Sequence, residues 1–445
     1  MSVLHYDSPL PVYALDWAKT PGTGPFSHLP RSSYRLALGS FTDDFRNRIS
    51  IVGLPDERAF QDNVNMDDPY GSPHPLAAGD ESNFVLLADA LHGYPVTKIA
   101  WEPASTFREP WKDHSTELLT STGDALRIWE FSQVEEKPNL YVGRHAGGTT
   151  GKLAQKIALS SSKNPNPTTA PLTSFSWNTV SPNLVVTSSI DTTCTVWDLS
   201  ASTAVTQLIA HDREVYDVAW APGSVDSFVS VGADGSLRAF DLRSLEHSTI
   251  LYETPSRSKP ITNPTPGRGN GSGNVAASAV GPPGGTASLL RIAFNPLDAN
   301  FLATFHSDSP DVQILDMRSP GRPVVELKGH RGAITSIGWG SQESATIASA
   351  GDDCQLLVWD LSTGYLAPRT SGTHGRSPHP ESQMQPTRAV TEPLLAYTAQ
   401  SEINNIAWSP PIVGGEATRY RDGGGAAHGE WIAYAAGRTV KALKV

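Results

Sequence analysis

Apolar and polar residues alternate along much of this chain in short runs, the period of two that a half-buried β-strand shows. One run recurs with an aromatic at its end. It reads VYALDW to Trp17, VTKIAW to Trp101, LTSFSW to Trp177, VYDVAW to Trp220, LRIAF to Phe294, ITSIGW to Trp339 and INNIAW to Trp408, seven copies in all. A second run follows each copy: RLALGSF, LLTSTGD, LVVTSSID, FVSVGAD, FLATFHSD, TIASAGDD and WIAYAAG. A third follows after a tight turn: RISIVGL, LRIWEF, CTVWDL, LRAFDL, VQILDM, LLVWDL and VKALKV. Asp or Gly stands in most of these turns, as short hairpins demand. FVLLADA, AVTQLIA and PVVELKG read as fourth strands.

Four antiparallel strands repeated seven times predict an all-β chain, a single seven-bladed β-propeller over residues 1–445. A lone sheet of this kind cannot bury both faces, but sheets stacked radially bury one another. A large β-sandwich would not repeat the same Trp, Gly and Asp punctuation. The last repeat ends at Val445 with its third strand, and VLHYDSPLPVYALDW parallels QLIAHDREVYDVAW. The N-terminal segment is therefore expected to supply the missing outer strand and close the ring, which removes an open sheet edge.

Two repeats carry the polar spacing of WD repeats. His330, Ser349, Asp353 and Trp359 are placed so that an imidazole bridges a turn carboxylate and a strand hydroxyl, and the hydroxyl meets an indole. His211, Ser230 and Asp234 repeat this with Phe240 in place of Trp, and Thr187, Asp191 and Trp197 lack the His. Such a buried chain rigidifies a blade when every member is satisfied. A Ser-His-Asp triad would look similar, but elements that recur from blade to blade behave as scaffolding.

Seven repeats of about 40 residues leave a surplus. It lies in insertions at 55–83, 133–151, 160–171, 254–288 and 363–392. The two longest are rich in Pro, Gly, Ser and Thr and cannot repay their ordering entropy, so disordered loops are expected there. The run Gly267–Gly273 lacks the strand, helix and Lys of a phosphate loop. His374 and His379 lack Cys or carboxylate support for a metal. Ser377-Pro378 and Ser319-Pro320 each follow an Arg and resemble proline-directed kinase sites.

Charge and cysteine content narrow the function. With 34 Lys+Arg against 45 Asp+Glu, the net charge is −11, which disfavours general nucleic-acid binding. Cys194 and Cys354 cannot build a disulfide framework. Neither a signal peptide nor an apolar span of membrane length is read, so an intracellular protein is expected. Nucleotide fingerprints, nucleophile elbows and paired metal motifs are not found, so no enzyme, cofactor or metal is expected.

The loop Thr42-Asp43-Asp44-Phe45-Arg46-Asn47 joins two strands and holds a Phe with no evident core role. Phe45 and Arg46 are candidates for protein recognition, where aromatics and Arg carry most energy. Arg213, Tyr216 and Arg331 follow the two His positions and are expected near the same rim. The acidic balance would steer basic partners.

Longer phrases go beyond a generic repeat. APLTSFSWNTVSPNLVVTSSIDTTCTVWDL (170–199), QLIAHDREVYDVAWAPG (207–223), SVGADGSLRAFDLRSLEHSTILYE (230–253), LLAYTAQSEINNIAW (394–408) and LALGSFTDDFRNRISIVGL (36–54) resemble the WD-repeat regulators of Transparent Testa Glabra type. The animal counterparts of these regulators are counted among cullin-4 ubiquitin-ligase associated factors. The likeness spans all seven blades and fails only in the insertions.

It implies a non-enzymatic scaffold, a monomeric propeller within complexes, for transcription regulators and for protein kinases of DYRK and HIPK type. Its alternative implication is a substrate receptor of a cullin-4 ligase. The adaptor-binding pattern of such receptors is W-D-x-R at the end of a third strand. Phe240-Asp241-Leu242-Arg243 and Leu315-Asp316-Met317-Arg318 keep Asp and Arg without Trp, while both WDLS copies, at 197–200 and 359–362, keep Trp without Arg. Asp241, Arg243, Asp316 and Arg318 are candidate adaptor contacts, or each Arg pairs only with its neighbouring Asp.

Overall fold

A computed structural model describes residues 3–19, 35–54, 84–105, 116–133, 151–160, 170–255, 287–340, 345–362, 387–410 and 430–445. These residues form seven antiparallel sheets whose innermost strands neighbour one another around a closed ring. Counting strands a to d from the centre outward, blade 1 is Val12–Trp17, Arg35–Ser40, Arg48–Gly53 and Val85–Leu91. Blade 2 is Lys98–Trp101, Thr116–Thr122, Leu126–Gln133 and Gly151–Leu159. Blade 3 is Leu172–Trp177, Leu184–Ser189, Thr193–Asp198 and Thr203–Ile209, and blade 4 is Val215–Trp220, Ser227–Gly232, Ser236–Asp241 and Ser244–Glu253. Blade 5 is Leu289–Phe294, Phe301–His306, Asp311–Asp316 and Pro323–Lys328. Blade 6 is Ile334–Trp339, Thr346–Gly351, Gln355–Asp360 and Leu395–Thr398.

Blade 7 closes the ring. Its inner three strands are Asn405–Trp408, Trp431–Ala436 and Thr439–Lys444, and its outer strand is the N-terminal Val3–Asp7. The pairing is antiparallel, from Val3 opposite Leu443 to Asp7 opposite Thr439.

The buried apolar residues fall into seven clusters, and each spans one pair of adjacent blades. Trp17, Leu36 and Leu38 of blade 1 pack on Ala433 and Val440 of blade 7, for example. Ile347, Leu357 and Trp359 of blade 6 pack on Phe305 and Ile314 of blade 5.

The inner strands are clamped at both ends. At one end four of the recurrent Trp indoles donate to the preceding blade's inner strand, while Trp177 Nε1 donates to Pro182 O of its own blade (2.6 Å). Trp17 Nε1 donates to Ala407 O (3.0 Å), Trp220 to Ser176 O (3.1 Å), Trp339 to Ala293 O (2.9 Å) and Trp408 to Gly338 O (2.8 Å). Each acceptor is the residue just before that blade's own aromatic. At the other end a Thr hydroxyl reaches the next blade: Thr97 to Leu172 O (2.9 Å), Thr173 to Val215 O (2.6 Å) and Thr335 to Ile403 O (2.5 Å). Strand b ends in Gly232 and Gly351 in blades 4 and 6, and is followed by Gly123 in blade 2, because the incoming chain crosses there. A Cβ at Gly351 would lie 2.6 Å from Ala333 O.

The insertion expected over 363–392 ends in ordered chain. Arg388–Val390 adds a fifth strand to blade 5, parallel to Pro323–Lys328, with Val325 opposite Arg388 and Leu327 opposite Val390. Thr387 Oγ1 donates to Pro323 O at 2.8 Å, and Val390 is buried in the core between blades 5 and 6. A composition argument averages over thirty residues and misses three that pair an open edge and seat one apolar side chain. Residues 55–83, 256–286 and 363–386 lie outside the described residues, and with them Gly267–Gly273, His374, Ser377 and His379.

The clamp has a direct test. Trp339→Phe removes the hydrogen bond to Ala293 O, whereas the Nε1 of Trp101 has no partner among the described residues. Both indoles are buried in an interblade core. Trp339→Phe should cost about 1 kcal/mol more than Trp101→Phe in urea denaturation. Equal costs would contradict a clamping role for the indole.

Candidate protein-docking face

Antiparallel strands place the b–c turns and the d–a crossovers at one end of every blade, here called the upper face. The a–b and c–d loops lie at the other end, the lower face. On the upper face of blade 6, the crossover residue His330 puts Nδ1 3.0 Å from Asp353 Oδ1 and Nε2 2.8 Å from Ser349 Oγ. Trp359 Nε1 donates to the same Ser349 Oγ (2.9 Å), and the Arg331 backbone N–H donates to Asp353 (2.8 Å). In blade 4, His211 lies 3.0 Å from both Asp234 oxygens and 2.7 Å from Ser230 Oγ. Phe240 instead stacks on Phe228, with centroids 5.0 Å apart. Burial alone would raise the carboxyls of Asp234 and Asp353. Hydrogen bonds from the imidazoles and from backbone N–H groups outweigh it and hold both below the usual range. Ser230 and Ser349 are wholly buried, so no substrate carbonyl reaches either hydroxyl.

Blade 3 keeps the Trp197 Nε1 donation to Thr187 Oγ1 (2.9 Å), while Asp191 turns to the Thr193 hydroxyl (2.6 Å). Blade 2 holds a related network that the spacing conceals. Trp129 Nε1 donates to Ser121 Oγ (2.8 Å), and the crossover residue His92 packs beside Trp129, centroids 6.0 Å apart. Its Nδ1 meets Tyr94 O at 2.6 Å, because Asp124 stands one position early in the turn and pairs with Arg127 instead (2.6 Å). Burial pushes the His92 ring below the usual imidazole range.

The blade 1 turn is built differently. Asn47 is fully buried, and its Oδ1 accepts from Ser40 Oγ (3.0 Å) and the Thr42 backbone N–H (2.8 Å). Its Nδ2 donates to Thr42 O (3.0 Å) and Asp44 O (2.7 Å). Asp44 accepts from Thr42 Oγ1 (2.8 Å) and Arg46 Nε (2.6 Å). These bonds fix a loop whose tip, Phe45, is 71% exposed. Phe45 meets the ring of Tyr94 edge-on with centroids 5.6 Å apart, and nearby Phe41 leans on Tyr13 at 5.3 Å. Tyr94 escapes a sequence reading because it belongs to a different loop, and only the fold brings it beside Phe45.

Arg213 and Arg331 lie in upper-face crossovers. Tyr216 belongs to the inner strand, where its carbonyl accepts from Arg291 Nη1 (3.4 Å). Arg291 also reaches across the central channel from blade 5 to the Tyr13 hydroxyl of blade 1 (2.5 Å). Lys98 Nζ donates to Ser174 Oγ (3.0 Å) and lies 3.3 Å from the buried Asp217.

Arg243 and Arg318 are on the lower face, at c–d turns. Each is bidentate on its own Asp: Arg243 Nε and Nη2 lie 3.0 and 2.6 Å from Asp241, and the Arg318 pair 2.9 and 2.8 Å from Asp316. Arg318 also lies over the Phe301 ring at 5.3 Å. The Phe45 and Arg243 groups therefore occupy opposite faces. Ser319 sits in the turn that follows, its N–H bonded to Asp316 O (2.9 Å).

Fold and networks define a WD-repeat propeller, and residues 321–360 match the family model for the WD domain, G-beta repeat. The chain is 36% identical over 404 residues to the DDB1- and CUL4-associated factor 7 homolog of Dictyostelium discoideum, covering 91% of each chain. It is 34% identical to the WD repeat-containing protein YPL247C of Saccharomyces cerevisiae, covering 92% of this chain and 73% of the relative. A Schizosaccharomyces pombe WD repeat-containing protein is 35% identical, with 91% and 85% covered. The chain belongs to this family of WD-repeat proteins, the one that includes the DDB1- and CUL4-associated factor 7 homolog.

His92 predicts a pH signature. The unfolded chain binds a proton on this ring below about pH 6.5, whereas the buried ring of the fold resists it. Stability should therefore fall as pH drops from 7 toward 5, and His92→Gln should remove part of that slope. Denaturant titrations at several pH values, yielding parallel profiles for variant and wild type, would contradict the burial of this ring.

Proposed function

We propose that the protein is a non-enzymatic scaffold that docks other proteins on its upper face. Protein kinases of DYRK and HIPK type and transcription regulators are the partners implied by the resemblance to Transparent Testa Glabra-type regulators, with action in cytoplasm and nucleus. The observation that carries this reading is the Asn47-braced loop. A buried amide satisfied through both oxygen and nitrogen serves to hold Phe45 out in solvent beside Tyr94. Water-exposed aromatics on a rigid frame are the groups that dominate protein–protein affinity, and rigidity lowers the entropy cost of binding.

A second reading, substrate receptor of a cullin-4 ligase, is favoured by the name of the Dictyostelium relative. It would use the lower face through Arg243 and Arg318, whose guanidinium groups are already held by Asp241 and Asp316.

Two purified binding assays separate the readings. Against a DYRK-type kinase, Phe45→Ala should weaken binding about tenfold, and Arg243→Glu with Arg318→Glu should leave it intact. Against the cullin-4 adaptor, the double charge reversal should abolish binding if the receptor reading holds. Kinase binding unaffected by Phe45→Ala would overturn upper-face docking through this loop.

A further inference from the structure

The upper face is divided by chemistry. Its exposed large apolar residues all lie on blades 1 to 3: Phe41 and Phe45 in the first b–c turn, Leu91 and Tyr94 around the crossover to blade 2, Ile190 in the third b–c turn and Ile209 beside it. Ile209 is 82% exposed and Leu91 62%. Among the described residues, no exposed large apolar side chain lies on the upper face of blades 5 to 7. That half carries exposed charged groups instead: the carboxylates Asp308 and Asp352 in the b–c turns of blades 5 and 6 and Glu402 in the crossover to blade 7, with Arg331 in the crossover to blade 6 and Arg438 in the b–c turn of blade 7.

These carboxylates act on one another. Partial burial, and then the charges of Glu402, Asp353 and Asp308, raise the Asp352 carboxyl above its usual range. A surface that keeps like charges together loses stability by repulsion and gains attraction for a ligand of opposite sign. Between the halves, the Arg291–Tyr13 hydrogen bond joins the inner strands of blades 5 and 1 across the centre of the ring.

We infer that the upper face binds an extended protein segment with apolar anchors at one end and a run of Lys and Arg at the other. The anchors seat on blades 1 to 3 around Phe45 and Tyr94, and the basic run lies over Asp308, Asp352 and Glu402. A disordered segment suits the site, because the rigid platform contributes no ordering cost of its own. An acidic segment with the same anchors is repelled by the second half. This inference rests on the scaffold reading and gives it a partner chemistry.

The test uses three labelled synthetic peptides of equal length: one with Leu and Phe anchors and a Lys/Arg run, one with Glu and Asp in place of the basic run, and one with the anchors changed to Ala. Each is titrated into the full chain, into Phe45→Ala/Tyr94→Ala and into Asp308→Asn/Asp352→Asn/Glu402→Gln. All five positions are exposed, so melting temperatures should match the wild type.

The basic–apolar peptide should bind at least about tenfold more tightly than either control, and each variant should lose about tenfold. The charge variant should also lose most of the salt dependence. Equal binding of the acidic peptide, or an unchanged salt dependence in the charge variant, would overturn the inference. The kinase assay tells the two failures apart. If Phe45→Ala weakens the kinase and the carboxylate variant does not, the scaffold reading stands and this partner chemistry falls. If neither variant affects the kinase, upper-face docking itself falls.

Discussion

No blade of this propeller has a core of its own. Every cluster of buried apolar residues is shared by two neighbouring sheets, and the cluster between blades 7 and 1 is built from both ends of the chain. A four-stranded sheet in isolation would leave both faces wet, so each blade is stable only as a neighbour. Ring closure is therefore a condition for the hydrophobic energy of the whole molecule. In four blades the repeated Trp serves this condition twice, by packing in the seam and by donating to the preceding blade's backbone. The Thr hydroxyls hold the opposite end of the inner strands, so adjacent blades are fixed in tilt as well as in contact.

A frame held this way gives its turns a rigid base. In blades 4 and 6 that rigidity extends to the surface through the His–Ser–Asp networks. In blade 1 an Asn does the same work for a turn that ends in an exposed Phe. The contrast is informative about function. Where turns only complete the fold, the buried polar group reaches inward to a strand hydroxyl. Where a side chain is presented outward, the buried polar group meets a strand hydroxyl and also braces the loop beneath it. The two faces differ as well. The upper one combines braced aromatics with exposed carboxylates, while the candidate Arg residues of the lower one are already neutralised by adjacent Asp residues.

The architecture was legible because its physics is periodic. Alternating runs ending in Trp17, Trp101 and their equivalents locate all seven inner strands, and the likeness of the N-terminal phrase to a d–a junction locates the closing strand. The docking face was legible only in part. Phe45 stood out because it had no core position to fill, but its partner Tyr94 lies 49 positions away in another loop. His92 was hidden by an enlarged a–b loop, which stretches the His-to-Ser separation to 29 residues against 19 in blades 4 and 6. The carboxylates of Asp308, Asp352 and Glu402 lie in three loops that only the fold sets side by side. Arg388–Val390 was masked by its neighbours' composition. Each of these depends on which loops the ring brings together, and local pattern holds no record of that.

Closure is the claim on which the rest stands, and hydrogen exchange measures it most directly. Removing residues 1–9 takes away the Val3–Asp7 strand and leaves the edge of Thr439–Lys444 open. If blades are stable only as neighbours, protection should fall across the ring, including the Ser227–Gly232 strand of blade 4, far from the cut. Loss confined to blades 7 and 1, with blade 4 protected as in the full chain, would show that the blades hold themselves up and would contradict the account.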